Sequence, residues 1–200
     1  MKIKLLILFC ALVFNTKAQP DEETKTVFGN KNLKMGYFVN PYCQFGEIAG
    51  STAVLPGIGA GIIINNKLTL GLTYKFIVNE NTPVGETDST LYLDQKFFGL
   101  KCEYSVFPEK AVHFNLQLET GIGHTELDLK DSYEFGDAPS SDVSFAYLEP
   151  GVALEINIWK YIKLNLAANY RIVSDVSFRS LSEKNFMGIN GSVGLKIGIF

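Results

Sequence analysis

The residues on which metal and redox chemistry depends are scarce in this chain. Its 200 residues include two histidines, three cysteines and one tryptophan, and no cysteine or histidine spacing is typical of a zinc site. Cys10 falls in an apolar N-terminal segment, which leaves Cys43 and Cys102. Both fall on the apolar faces of predicted strands that are not neighbours, so we expect two buried thiols rather than a disulfide. The sequence predicts no metal and no cofactor.

Excess positive charge and long apolar runs are also missing. The formal net charge is −3, which gives no reason to expect a nucleic-acid partner. After the N-terminal segment no run approaches the roughly 18 apolar residues of a transmembrane helix. Residues 54–64 come closest, but Pro56 and three glycines interrupt them, and their glycine-rich part lacks the lysine of a phosphate-binding loop. No apolar stripe of helical period follows residue 18.

The first 18 residues have the pattern of an export signal. Lys2 and Lys4 precede an apolar stretch from Leu5 to Phe14, and Thr16-Lys17-Ala18 has the small residues of a cleavage site. We therefore predict a signal peptide over residues 1–18, a flexible periplasmic leader over residues 19–31 and one barrel domain over residues 32–200. A buried first helix and lipid anchoring are the alternatives.

Alternation of apolar and polar residues predicts an all-β fold. In residues 112–122 the two kinds alternate, and only Thr120 breaks the apolar row. A period of two places them on opposite faces of a strand. The same pattern predicts eight strands, with a two-residue turn at Asn65-Asn66, another turn at residues 47–50 and the longest loop from His124 to Asp142. The strands fall at about residues 33–45, 51–64, 67–76, 91–106, 112–122, 145–158, 162–172 and 187–199.

The apolar faces could pack a soluble core or meet lipid around a closed barrel. Long strands, an even strand number and short turns alternating with longer loops favour an eight-stranded antiparallel up-and-down transmembrane β-barrel, with short periplasmic turns and longer external loops. Aromatic residues near predicted strand ends suit the two membrane interfaces. They are Tyr104, Phe107, Trp159 and Tyr161 on the turn side and Tyr74, Phe76, Tyr92, Phe145 and Tyr147 on the loop side. The alternative is a secreted sandwich or a lipocalin-like barrel.

The polar faces carry many charged residues of both signs. An eight-stranded barrel has an interior just wide enough to be filled by side chains, and opposite charges there can pair, which offsets part of the cost of burying them. We therefore predict a filled lumen without a solute pore. Lys34 and Lys75 share this face; the predicted lumen polar network is Lys101, Glu103, His113, Glu119, Glu149, Glu155, Lys163, Arg171 and Lys196.

Several segments resemble the small outer-membrane β-barrel proteins of Bacteroidota-type bacteria, of the OmpA/OmpX-like eight-stranded type. Residues 54–65 (VLPGIGAGIIIN) are similar to their second strand and turn, residues 148–157 (LEPGVALEIN) to their sixth strand, and Asn169-Tyr170-Arg171 to their seventh. The resemblance implies an outer-membrane location, contact with outer-membrane lipid and a terminal Phe200 read by the outer-membrane assembly machinery. Phe200 departs from the usual signal, because Gly194, Lys196 and Gly198 stand where apolar residues are expected.

Catalytic and metal sites have little support in the sequence. His124 with Ser132 could form a nucleophile and base at the external rim, although their spacing gives no support for it. The acidic residues of the longest loop could bind calcium, but ordinary solvated loop charge explains them better. We expect a monomer that is not an enzyme, with a structural or surface-binding role through loops whose partner is unknown. The alternatives are a rim-site lipid-modifying enzyme and a soluble periplasmic binding barrel. The acidic residues are Glu126, Asp128, Asp131, Glu134, Asp137 and Asp142.

Overall fold

Eight long strands, two short strands and one helical turn are present in the part of the chain that the structure describes. The computed structural model describes residues 33–79, 91–129, 142–174, 176–178 and 181–200. The predicted signal peptide and leader lie outside these ranges. The elements are β1 Met35–Ile48, β2 Ser51–Ile64, β3 Leu68–Phe76, β4 Leu91–Val106, β5 Val112–Leu129, β6 Asp142–Trp159, β7 Ile162–Ser174, β8 Ser177–Phe178, β9 Leu181–Ser182, α1 Glu183–Phe186 and β10 Gly188–Ile199. No helix in these ranges is long and apolar enough to cross a membrane.

The long strands form a closed antiparallel barrel. Each pairs with its neighbour along the chain, and β10 closes the barrel by pairing with β1 from Tyr37 opposite Ile199 to Gly46 opposite Asn190. β8 and β9 pair only with each other. Closure gives each of the eight barrel strands a partner on both sides, so their backbone donors and acceptors need no water. The predicted eight-stranded up-and-down barrel is confirmed.

Tight turns at the two ends of the barrel set the register of its strands. Asn65 and Asn66 have φ values of 51° and 58°, as a two-residue hairpin turn of the primed type requires, and the turn predicted there is confirmed. Ala49 and Gly50, with φ values of 53° and 81°, link β1 to β2 at the opposite end. The predicted turn at residues 47–50 is therefore too long, because β1 continues to Ile48.

The predicted loop from His124 to Asp142 is also too long. β5 continues to Leu129 and β6 begins at Asp142, so His124 pairs with Ser144 inside the sheet. Beyond Ile122 the outward positions of β5 begin with His124 and Glu126, which are polar instead of apolar. Where a strand extends beyond the apolar part of the outer surface, its outward side chains are polar, so the alternation of apolar and polar residues no longer indicates a strand.

The barrel has apolar side chains outside and charged side chains inside. Leu116 is 56% exposed and Leu100 60% exposed on the outer face, whereas Glu119 and Arg171 are 7% and 3% exposed inside. The predicted outward orientation of the apolar faces is confirmed. Cys43 and Cys102 are unbridged on the outer face. The expected burial of both thiols is wrong, because Cys43 is half-buried and Cys102 is exposed.

An apolar cluster fills the loop-side end of the interior, and we call it the apolar cap. The Phe97 ring meets the Phe145 ring edge-on at 5.9 Å, and Phe186 from α1 lies 5.5 Å from Phe145. Phe145 and Tyr147 thus point inward, and their prediction as interface aromatics is wrong; the side chain of Tyr92 lies outside the described part. The cap comprises Ile48, Ala49, Ala53, Leu55, Ile77, Leu93, Phe97, Phe145, Tyr147, Val173, Val176, Leu181 and Phe186.

Candidate functional site

Below the apolar cap lies a first group of buried charges, the loop-side cluster, made of Lys75, Glu119, Glu149 and Arg171. Lys75 Nζ is 2.7 Å from Glu149 Oε2 and 3.0 Å from Glu119 Oε1. Arg171 Nε donates to Glu149 Oε1 at 2.5 Å, and Gln44 Nε2 donates to Glu149 Oε2 at 3.2 Å. Side chains of four other strands therefore converge on Glu149 or its direct partners.

The loop-side cluster is balanced in charge. Glu119 and Glu149 face each other on β5 and β6, and two adjacent carboxylates would repel each other. Lys75 bonds both of them, and Arg171 bonds Glu149, so two cations match two anions. The cations also lie near aromatic rings of the cap, with Arg171 Cζ 4.7 Å and Lys75 Nζ 5.5 Å from the Phe97 centroid, where cation–π attraction adds to the pairing.

A second group of charges fills the other half of the interior, and we call it the turn-side cluster. Lys196 Nζ donates to Glu155 Oε2 at 2.7 Å and also bonds Glu103. Lys163 Nζ donates to Glu155 Oε1 at 2.9 Å, and His113 Nε2 lies 3.2 Å from the same oxygen. The cluster comprises Lys101, Glu103, His113, Glu155, Lys163 and Lys196.

The structure brings all nine residues of the predicted lumen network inside the barrel, but in two clusters. Strand alternation accounts for the face on which each side chain lies, since residues two apart share a face. Their partners depend on the closed register, which alternation does not specify. The sequence places Lys75 and Lys34 on the same face but outside the predicted network. Lys75 lies in the loop-side cluster, whereas Lys34 is exposed at the turn-side end. Gln44, Tyr147, Asn115 and Asn190 are further members that the prediction missed.

Glycines make room for the large interior side chains. A Cβ on Gly57 would lie 2.6 Å from Cζ of Tyr42, which sits on the neighbouring strand β1 and faces Gly57 in the register. The Tyr42 ring occupies the space beside Gly57 and comes from the adjacent strand, not from across the barrel.

The candidate rim residues are only partly within the described ranges. His124 Nδ1 lies 3.1 Å from Ser144 Oγ on the outward face near the loop-side end, and no carboxylate of a described residue bonds this imidazole. Ser132, Asp131, Glu134 and Asp137 lie outside the described ranges. Among the described residues no three histidine, cysteine or acidic side chains form a group that could hold a metal ion.

The terminal residue Phe200 meets the turn-side cluster. Its ring centroid lies 4.1 Å from Lys163 Nζ, while Ile199 is exposed on the outer face. Phe200 therefore continues the inward-facing positions of β10, as the sequence indicates. Its use as an assembly signal stays a prediction.

A closed eight-stranded barrel with an apolar outer surface and paired charges inside has the fold of outer-membrane β-barrels. No protein-family model and no curated protein matches the sequence significantly. Among solved structures, the chain is similar to Neisserial surface protein A, NspA, with a TM-score of 0.62 and 14% identity over 84% of this chain and 99% of that one.

Two further solved structures are similar to the chain. A major outer membrane protein from Thermus thermophilus has a TM-score of 0.51 and 11% identity, covering 82% of this chain and 99% of that one. The attachment invasion locus protein Ail of Yersinia pestis has a TM-score of 0.48 and 12% identity, covering 84% and 97%. At these identities the likeness to NspA and the Thermus protein establishes the shared fold.

Proposed function

We propose that this protein is a monomeric outer-membrane β-barrel with a filled interior, used as a structural or surface-binding protein through its loop-side end. The observation that carries the proposal is the inverted polarity of the barrel, with exposed side chains such as Leu100 and Leu116 outside and ion pairs inside. In water such an outer surface would be a large exposed apolar patch. In a bilayer it is the favourable surface, and the paired lumen charges avoid lipid.

Aromatic residues at the turn-side end support the same location. Trp159 and Tyr161 are exposed and meet edge-on at 6.1 Å, and Tyr104 and Phe107 are exposed nearby. Such rings are favourable at the level of lipid headgroups. The surface location named for NspA and the outer-membrane location named for the Thermus protein agree with it. We further propose that the predicted signal peptide exports the chain and that the outer-membrane assembly machinery receives it. We also propose that the protein is one of the Bacteroidota-type, OmpA/OmpX-like barrels.

The filled interior supports a role other than conduction. The apolar cap and the two clusters occupy the lumen in succession, and their side chains bond one another across it. An eight-stranded barrel has little width beyond its own side chains. Binding is therefore assigned to the loop-side surface, where the partner is unknown.

Fractionation and conductance measurements test this proposal. The full-length protein expressed in a Gram-negative host should appear in the outer-membrane fraction, require detergent for extraction and give no channel steps in planar bilayers. Recovery from the periplasm without detergent would instead support a soluble binding barrel. Steady channel conductance would refute the filled lumen while leaving the membrane location intact.

A rim enzyme acting on lipid is a second candidate, favoured by one contact. His124 Nδ1 and Ser144 Oγ are 3.1 Å apart on the outward face, the arrangement of a base beside a nucleophile. Release of fatty acid from phospholipid vesicles by the purified protein, lost in His124→Ala and in Ser144→Ala, would support this activity. Release that both variants retain, or no release at all, would remove this pair from consideration.

A further inference from the structure

Each strand connection at the turn-side end of the barrel carries an exposed lysine. Lys67 follows the two-residue turn between β2 and β3, Lys110 lies between β4 and β5, and Lys160 lies between β6 and β7. Lys34 precedes β1 at the same end, and it is exposed as well. Among the described residues of this end, Glu109 is the one exposed acidic side chain. The turn-side rim therefore carries an excess of positive charge.

The loop-side end has the opposite balance of charge. Among its described residues, the acidic side chains that reach the surface outnumber the lysines. One of these lysines, Lys96, is already paired, because its Nζ atom lies 2.7 Å from a carboxylate oxygen of Asp94. The described charges at the two ends therefore attract an anionic partner to the turn-side rim. The loop-side acidic residues are Glu47, Asp94, Glu126 and Glu183, and the loop-side lysines are Lys96 and Lys184.

Two of the turn-side lysines lie against aromatic rings that are exposed on the outer surface. Lys110 Nζ is 4.8 Å from the centroid of the Phe107 ring, and Lys160 Nζ is 4.5 Å from that of Tyr161. Trp159 is 64% exposed and meets Tyr161 edge-on. The two turns adjoin, because β5 pairs with β6. We call these five residues, Phe107, Lys110, Trp159, Lys160 and Tyr161, the turn-side patch.

The position of these lysines favours lipid headgroups over a soluble anion. Their ammonium groups lie beside rings at the edge of the apolar surface, at the level where such rings meet the headgroups of a bilayer, and lysine side chains keep their charge at that level. A zwitterionic headgroup carries its own cation, whereas an anionic headgroup leaves its charge for the protein. We propose that the turn-side patch binds anionic phospholipid headgroups in preference to zwitterionic ones. This preference rests on the proposed membrane location and adds the class of lipid that this end of the barrel selects.

Trp159 is the single tryptophan of the chain, so its fluorescence reports on the lipid beside the turn-side patch. The full chain is refolded into mixed vesicles of zwitterionic phosphatidylcholine and anionic phosphatidylglycerol, in which only one of the two lipids carries brominated acyl chains that quench tryptophan. At equal proportions of the two lipids, we expect the binding derived from quenching to favour phosphatidylglycerol roughly fivefold, which is the effect of one lysine near an anionic surface. High salt should reduce this preference, because exposed charges are screened.

Two double variants test whether the turn-side lysines cause the preference. Lys110→Gln combined with Lys160→Gln removes both lysines of the patch, and we expect the two brominated lipids to quench Trp159 equally in this protein. Lys96→Gln combined with Lys184→Gln is the matched control. It removes the same charge from exposed residues of the loop side and should leave the preference intact.

Glu109→Gln should increase the preference, because it removes the exposed carboxylate that precedes Lys110 in the chain. Equal quenching by the two lipids in the unsubstituted protein, or the same loss in both double variants, would overturn the preference but leave the membrane location intact. If inorganic phosphate abolished the preference and chloride of equal ionic strength did not, the lysines would be binding a soluble anion instead. Quenching by neither lipid would show that Trp159 does not face a bilayer, and would contradict the proposed location itself.

Discussion

Lys75 Nζ lies 2.7 Å from Glu149 Oε2, although the two residues are on β3 and β6, three strands apart around the barrel. The contact crosses the interior, and both side chains are 1% exposed. A pair that spans the lumen fixes the distance between opposite walls, because neither group can move away without leaving a buried charge unpaired. Glu149 also accepts from Arg171, so it is the point on which the loop-side half of the interior converges.

Glu149→Gln should therefore destabilise the barrel strongly. The substitution keeps the shape of the side chain but leaves Lys75 and Arg171 with one carboxylate, Glu119, between them. Breaking a buried ion pair from one side costs about 3–5 kcal/mol. The free energy of unfolding from urea titration in detergent measures this loss.

Glu47→Gln is the matched control for this prediction. Glu47 lies on β1 but is exposed, so the same chemical change there should alter stability by less than about 0.5 kcal/mol. Equal effects of the two variants would show that the buried pairs contribute nothing particular to stability.

The face on which the network charges lie could be predicted from sequence, but the pairs could not. Alternation alone places Glu119 and Arg171 on the interior face, and the structure agrees. Whether Lys75 reaches Glu149 depends on strand tilt and on the closing register of β1 with β10, which involve residues far apart in the chain. The prediction of Phe145 and Tyr147 as interface aromatics is wrong because an aromatic residue near a strand end suits both a membrane interface and a capped interior. The face of β6 on which the side chain lies distinguishes the two positions.

Gly99→Ala should weaken the barrel because its added methyl group has no room. A Cβ at this position would lie 2.3 Å from the Tyr147 hydroxyl and 3.1 Å from the Thr120 carbonyl oxygen. Overpacking of this kind costs about 1–3 kcal/mol, and the displaced tyrosine would also lose its bond to Glu119. Urea unfolding in detergent measures the loss.

Gly59→Ala provides the comparison for Gly99→Ala, since its Cβ would make only ordinary contacts of 3.5 Å or more. Replacing glycine there should be neutral or stabilising by up to about 1 kcal/mol. A Gly99→Ala barrel as stable as the Gly59→Ala barrel would mean that Tyr147 is free to move.

Cys102 should resist water-soluble thiol reagents in the folded, lipid-embedded protein. Its side chain is on the outer face of β4, among Leu70 and Leu118 on the adjacent strands, where lipid would exclude a membrane-impermeant maleimide. Mass spectrometry should find it unlabelled in vesicles and labelled after unfolding in urea. As a control, Ser144→Cys in a protein lacking Cys43 and Cys102 should be labelled while folded, because Ser144 is exposed near the loop-side end. Rapid labelling of Cys102 in intact vesicles would argue that its surface faces water.

Arginine at the middle of the outer surface should be far more costly than arginine near its end. Leu100 lies midway along β4, is 60% exposed and pairs with Leu72, so Leu100→Arg places a guanidinium near the bilayer midplane, at a cost of about 2–4 kcal/mol. Val112 begins β5 beside the turn side and is 48% exposed, and Val112→Arg should cost at most about 1 kcal/mol, because the long side chain reaches the interface. Reversible unfolding from phospholipid vesicles measures both. The depth dependence separates lipid from water, since on a water-facing surface the two substitutions would have similarly small effects.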